Sequence, residues 1–133
     1  MTLKEVRVVL DILENRGMGN IIYLGIPYTW NPQKSFEIVN KAAAKLMQRG
    51  LVIFSPISHS HPIADHMDEK LRTSQEFWMK QDTPLVKASS NLFMIIITGE
   101  EKDGMTLIKE SKGCQQELKI AKENNVPVTY III

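Results

Sequence analysis

The sequence predicts an α/β fold built on a parallel sheet, and three observations point there. Short apolar runs recur at Ile21–Ile26, Leu51–Phe54, Asn91–Thr98 and Val126–Ile133. These runs are nearly continuous rather than alternating, as in strands buried on both faces. Between them lie segments with helical periodicity and helix-capping residues, and strands that alternate with helices form parallel sheets through right-handed crossovers. The chain has 133 residues. A chain of that size buries about two-thirds of its extended surface, enough for one core. A single domain over 1–133 is expected.

The first element is a helix. Leu3, Val6, Leu10 and Leu13 recur at helical spacing over Leu3–Asn15, and Gly17 supplies a stop. Residues 1–19 thus form an N-terminal helical extension, with a turn at Gly17-Met18-Gly19-Asn20. The first strand, Ile21–Ile26, breaks at Pro27. Asn31-Pro32 reads as an N-cap followed by proline at the first helical position. Phe36, Val39, Ala43 and Leu46 form that helix's stripe, and Gly50 closes it. Leu51–Phe54 is the second strand, ended by Pro56. The polar, His- and Pro-rich stretch Ile57–Leu71 reads as a loop. Ser74–Ser89 is helical in composition, with a break or restart at Pro84. Asn91–Thr98 is the third strand and Gly99–Glu110 a charged loop. Ser111 or Gly113 opens a helix reaching about Asn125, and Val126–Ile133 is the last strand.

Composition narrows the function classes. Hydrophobic residues are 44% and charged residues 23%, which argues for a folded globular chain and against disorder. Lys+Arg number 16 and Asp+Glu 15, a formal net charge of +1. A protein that binds a nucleic acid polymer through its phosphates shows a basic excess, so no such partner is expected. No apolar run approaches the ~20 residues that span a bilayer. Charges near the N-terminus do not suit a signal peptide. Cys114 is the single cysteine, which excludes an internal disulfide and fits a reducing cytoplasm. The expected location is cytoplasmic, with no membrane contact.

In parallel sheets, ligands bind beyond the carboxyl ends of the strands, where strand order reverses. The expected site therefore lies after Ile26, after Phe54 and after Thr98. Glu117 is the most informative residue. It shares a helix face with Cys114, Leu118 and Ala121, so a carboxylate stands on an apolar stripe near a helix N-terminus. Such a group serves as a nucleophile or general base, or is a boundary glutamate reaching solvent. Ser111-Lys112-Gly113, just ahead of it, offers free N–H groups, a hydroxyl and a glycine for an anion; a plain N-cap with a turn glycine reads the same way. Gly25 and Pro27 turn the chain at the end of the first strand, and glycine there lets a ligand approach the backbone. Tyr23 on that strand is either a site residue or a core aromatic. His59, His61 and His66 cluster after the second strand. Zinc needs a third and fourth ligand in support, and no metal is expected; a polar loop or a pocket rim accounts for them. Asp82 is a further candidate, or helps cap a helix restarted near Pro84.

Taken in order, these residues resemble the nucleoside 2-deoxyribosyltransferase-like superfamily, nearest its small bacterial and phage branch. The resemblance rests on Tyr23-Leu24-Gly25-Ile26-Pro27-Tyr28, on Phe54 to Pro62 with its two histidines, on Phe77-Trp78-x-x-x-Asp82, and on Ser111-x-Gly113-x-x-x-Glu117. It covers about Asn20 to Ile133. It implies a flavodoxin-like doubly wound parallel sheet of four to five strands, here with an extra N-terminal helix, and action on N-glycosidic bonds of nucleosides or nucleotides.

Carried over by motif, Glu117 becomes the nucleophile at C1′ and Tyr23 orients it. Asp82 hydrogen-bonds the base or assists its departure. Ser111 and the Gly113 backbone hold the 5′ end of the sugar. Gly25, Pro27, His59 and His61 complete the substrate-binding set. In transferase members the position of Ser111 is typically Asp, which suits a 5′-hydroxyl; in nucleotide hydrolases it is typically Ser, which suits a phosphate.

The implied activity is hydrolysis of (deoxy)nucleoside 5′-monophosphates, with no cofactor. The alternatives are base exchange by a nucleoside 2-deoxyribosyltransferase, and a nucleotide-binding or sensing module without turnover. The resemblance also implies a homodimer or larger homo-oligomer, with a small-molecule nucleotide or nucleoside as ligand.

Overall fold

The computed structural model describes residues 21–132. The expected N-terminal helix at Leu3–Asn15 and the turn at 17–20 lie outside these residues, as does Ile133. The elements run β1 (Ile21–Gly25), α1 (Pro32–Gln48), β2 (Val52–Phe54), α2 (Pro56–Ala64), α3 (Glu69–Arg72), α4 (Gln75–Ala88), β3 (Asn91–Ile95), α5 (Gly104–Glu110), α6 (Lys112–Glu123) and β4 (Val128–Ile131).

All strand pairings are parallel, and the sheet order is β2-β1-β3-β4. The chain steps outward from β1 to β2, then returns to the other side of β1. The reversal falls between β1 and β3, where a flavodoxin-like sheet has its switch point. Gly25 pairs with Met94 there.

The apolar strands are covered on both faces, as their continuous runs require. Ile22, Leu24, Phe93, Ile95 and Ile131 pack on one side with Val39, Ala42, Ala43 and Leu46 of α1. Tyr23, Leu92 and Met94 pack on the other with Val86 of α4 and with Cys114 and Ala121 of α6. The expected doubly wound fold is borne out, with four strands.

Local chemistry sets the helix ends. Asn31 caps α1 by accepting from Lys34 N at 3.2 Å, with Pro32 at the first helical position. Gly50, at φ 91°, ends the helix. Gly50 N donates to the Met47 carbonyl and Leu51 N to the Leu46 carbonyl, a Schellman ending that a side chain would strain. Asn125 ends α6 in the same left-handed conformation, at φ 56°.

Three sequence expectations are corrected. The stretch read as a loop over Ile57–Leu71 holds α2 and α3. Pro56 occupies the first helical position of α2, where a missing N–H costs nothing, and Pro62 lies exposed near its end. The helix Gln75–Ala88 runs through Pro84 without a break. Pro84 and Lys80, the residue four before it, are both exposed, so the lost hydrogen bond leaves a carbonyl that water can satisfy. A restarted helix that Asp82 would cap is therefore absent. Finally, Gly99–Glu110 is a loop only to Asp103. The Asp103 carboxylate accepts from Met105 N and Thr106 N at 3.1 and 3.3 Å, which starts α5. Gly104 is required there, because a Cβ would come within 2.4 Å of the Ile97 carbonyl.

Candidate active site

The carboxyl ends of β1 and β2 open onto a cavity of about 440 Å³. Volumes of that order hold small-molecule ligands. Glu117, Asp82, Ser111, Gly113 and His61 all line it, although they come from α6, α4, the α5–α6 junction and α2.

Glu117 is placed by α6. The Ser111 hydroxyl caps that helix by accepting from Cys114 N at 3.2 Å. Cys114, Glu117 and Ala121 then share the buried face. Glu117 keeps only 7% of its surface exposed. The Tyr23 hydroxyl, fully buried on β1, donates to Glu117 Oε2. The other carboxylate oxygen lies against Gly25, where a Cβ would stand 3.4 Å from Oε1. Tyr23 and Gly25 thus form the seat of the carboxylate and do not line the cavity.

Burial pushes the Glu117 carboxyl up from 4.5 to about 8. The Tyr23 hydrogen bond opposes this by favouring the charged form, and the nearby Asp82 charge adds to it. Burial also raises Asp82, from 3.8 to about 6, against the lowering effect of His59. Between these values the pair shares about one proton. Burial raises the Tyr23 hydroxyl well above its usual range, helped by the charges of Glu117 and Asp82. It therefore stays protonated and remains a donor. Cys114 is also raised, by burial first and then by Glu117, so this thiol is not a nucleophile at neutral pH.

The remaining sequence candidates divide. His61 lines the cavity, stacks on Phe36 with ring centroids 4.2 Å apart, and holds its Nδ1 2.6 Å from the Tyr28 hydroxyl. His59 does not line the main cavity. It faces Phe54 and opens on a smaller neighbouring cavity that Asp82 shares. Pro27 is buried outside the lining, and its carbonyl accepts from the Ser35 hydroxyl and from Trp30 Nε1. It shapes the turn after β1. Gly113 has open space before it, since a Cβ would meet nothing closer than Gln75 Nε2 at 3.6 Å.

Two features escaped the sequence reading. The Tyr28–His61 pair joins residues 33 apart, which no local pattern shows. Arg72 lines the cavity from the end of α3, in the gap between the stretch read as a loop and the helix expected from Ser74. The signal for α3 was Asp68, whose side chain accepts from Leu71 N at 2.9 Å: an N-cap three residues ahead of a leucine.

The family model of a domain of unknown function (DUF1937) matches residues 20–132, and the chain belongs to that family. In structure it is similar to a 2-deoxyribosyltransferase from the psychrotolerant bacterium Bacillus psychrosaccharolyticus. That likeness has a TM-score of 0.56 at 23% identity, over 84% of this chain and 72% of the other. At that identity it shows a shared fold, and the resemblance read from the four motifs is borne out at that level. No curated protein sequence matches the chain. Among the described residues, no helix is long and apolar enough to cross a membrane.

Proposed function

We propose that this DUF1937 chain hydrolyses the N-glycosidic bond of (deoxy)nucleoside 5′-monophosphates, with Glu117 as nucleophile. One observation carries the reading. A buried carboxylate, held by a tyrosine that stays protonated, faces a nucleotide-sized cavity that a second carboxylate also lines.

In the first step a Glu117 oxygen bonds to C1′ while the bond from C1′ to the base nitrogen breaks. The bonding pair leaves with the base, which takes a proton from Asp82. In the second step water attacks C1′ and gives a proton to Asp82. The ester bond breaks, and the sugar 5-phosphate leaves with Glu117 restored as a carboxylate. Positive charge builds at the sugar ring in both transition states, and a fixed carboxylate beneath it is the stabilising element. Between about pH 6 and 8 the single proton rests mainly on Glu117, and the chemistry requires its transfer to Asp82. The reactive form carries it on Asp82, leaving Glu117 charged.

Tyr23 fixes Glu117 Oε2 and stabilises its charge. Ser111 and the Gly113 backbone receive the 5′ end. His61, held by Tyr28, stands at the wall on the side of the base. His59 tunes Asp82 through its charge. A homodimer or larger homo-oligomer in the cytoplasm belongs to the same proposal.

The second reading is base exchange. Its support is the shared fold with a protein described as a 2-deoxyribosyltransferase. A second base in place of water would intercept the same glycosyl-Glu117. Ser111 favours hydrolysis of monophosphates, because a hydroxyl at a helix N-terminus attracts phosphate and an acid there repels it.

The test is a product assay. Ribo- and deoxyribonucleoside 5′-monophosphates and the matching nucleosides are incubated with the protein and with Glu117→Ala, and free base is quantified by chromatography. Release from monophosphates, lost in the variant, is expected. Release from nucleosides only when a second base is added would establish exchange instead. Binding with no release would leave a sensing module.

A further inference from the structure

The cavity is lined by carboxylates and cations together. Glu117 and Asp82 line it, and so do Arg72 and Lys112. Lys112 stands between Ser111 and Gly113 in sequence. The segment that carries Arg72 leads into the start of α4, which meets the Ser111–Gly113 end of the cavity.

The position of Arg72 follows from its neighbours. Gln75, three residues on, donates from Nε2 to Gln116 Oε1 at 2.9 Å and lies beside Gly113. The start of α4 is thereby fastened against the start of α6. Trp78 Nε1 donates to the Arg72 carbonyl at 2.8 Å, and the Asp68 cap fixes the turn that carries it. The backbone under Arg72 is held while its side chain stays exposed at the cavity rim. No acidic partner engages it among the described residues. Glu110, the one carboxylate lining that end, is paired instead with Lys102 at 2.8 Å.

We infer that Arg72 is the residue that selects 5′-phosphorylated substrates, closing its guanidinium over the phosphate that Ser111 and Gly113 receive. The inference rests on the proposed function and adds its specificity determinant. Arginine suits the task better than Lys112. Its planar fork meets two phosphate oxygens at once, whereas Lys112 also borders the open groove along α4 and α6. Since the proposed chemistry runs through Glu117, Tyr23 and Asp82, loss of Arg72 should leave the cleavage step intact.

The test uses the Glu117→Gln protein, which should bind without turnover. Calorimetry compares the four deoxynucleoside 5′-monophosphates with their nucleosides, with and without Arg72→Gln. In Glu117→Gln alone, a monophosphate should bind at least about tenfold tighter than its nucleoside, as expected for one charge-assisted pair. Adding Arg72→Gln should remove most of that preference, leave nucleoside affinity unchanged and leave the melting temperature unchanged. Arg72→Lys should restore part of it, and Lys109→Gln, an exposed cation away from the cavity, none of the loss. Equal weakening of both ligands, or no weakening, would overturn the role of Arg72 while the glycosidase reading stands. Binding of neither ligand by Glu117→Gln would defeat both.

Discussion

The Tyr23 hydroxyl donates to Glu117 Oε2 across 94 residues of sequence, joining the first described strand to the last helix. Both groups are buried. A buried carboxylate that accepts from a phenol is stable in its charged form only while that donor is present. The two residues therefore act as one unit.

Removing the donor should expose that dependence. Tyr23→Phe keeps the ring and deletes the hydroxyl. Hydrogen bonds to charged groups contribute about 1.5–3 kcal/mol, so cleavage should fall roughly 10- to 100-fold. The Glu117 ionisation should also move upward, because the bond that lowers it is gone. Steady-state rates across pH, with the limb near 8 displaced to higher pH, check both statements.

The Glu117 pKa also makes a stability statement. Its folded value, about 8, lies above its usual 4.5, so the folded state binds the proton more tightly. The favourable contribution is complete below about 4.5 and is lost as pH rises through about 8. Glu117→Gln removes the cost of ionisation in the core. Its thermal stability should match the wild type near pH 4.5 and exceed it increasingly towards pH 8.5. At about 1.4 kcal/mol per pKa unit, the gap should reach a few kcal/mol. Melting curves at several pH values measure it.

The shared proton predicts the pH profile of kcat/KM. Activity requires one proton on the Glu117–Asp82 pair. The profile should be bell-shaped, with limbs near 6 and 8 that belong to the pair rather than to either residue. Asp82→Asn should abolish the bell and leave a single ionisation.

Two glycines test the scaffold apart from the chemistry. Gly104→Ala drives a Cβ to 2.4 Å from a backbone oxygen, so α5 must shift; a loss of about 3 kcal/mol is expected by denaturant unfolding. Gly25→Ala meets the flexible end of Met94 at 3.0 Å and Glu117 Oε1 at 3.4 Å. Its stability cost should be about 1 kcal/mol, but it presses on the nucleophile, and activity should fall further than stability.

Much of this was legible in the sequence because it is local. The strands announce themselves as β-branched and aromatic runs, and Asn31, Gly50, Ser74 and Ser111 mark helix ends by short-range hydrogen bonding. Glu117 stood out because a carboxylate interrupts the Cys114–Ala121 stripe. The elements that were missed carry weak local signals. Helix α2 holds two prolines and two histidines, and it is fixed by tertiary contacts such as the stacking of His61 on Phe36. Helix α5 is only seven residues long. Pro84 looked like a breaker because sequence does not show that its face of the helix meets solvent. The cation lining of the cavity was illegible for a related reason: Arg72 and Gly113 line one cavity only when the starts of α4 and α6 pack, Gln75 against Gln116.

The central claim is that Glu117 forms a bond to C1′, and intact-protein mass spectrometry tests it most directly. A 2′-deoxy-2′-fluoro nucleoside 5′-monophosphate destabilises the cationic transition state and slows release of the sugar. The wild-type protein should gain the mass of one fluorinated sugar phosphate as one equivalent of base appears. Peptide mapping should place the adduct on Glu117, and Glu117→Gln should show neither base nor adduct. Base release with an unmodified protein, or an adduct on another residue, would contradict the account.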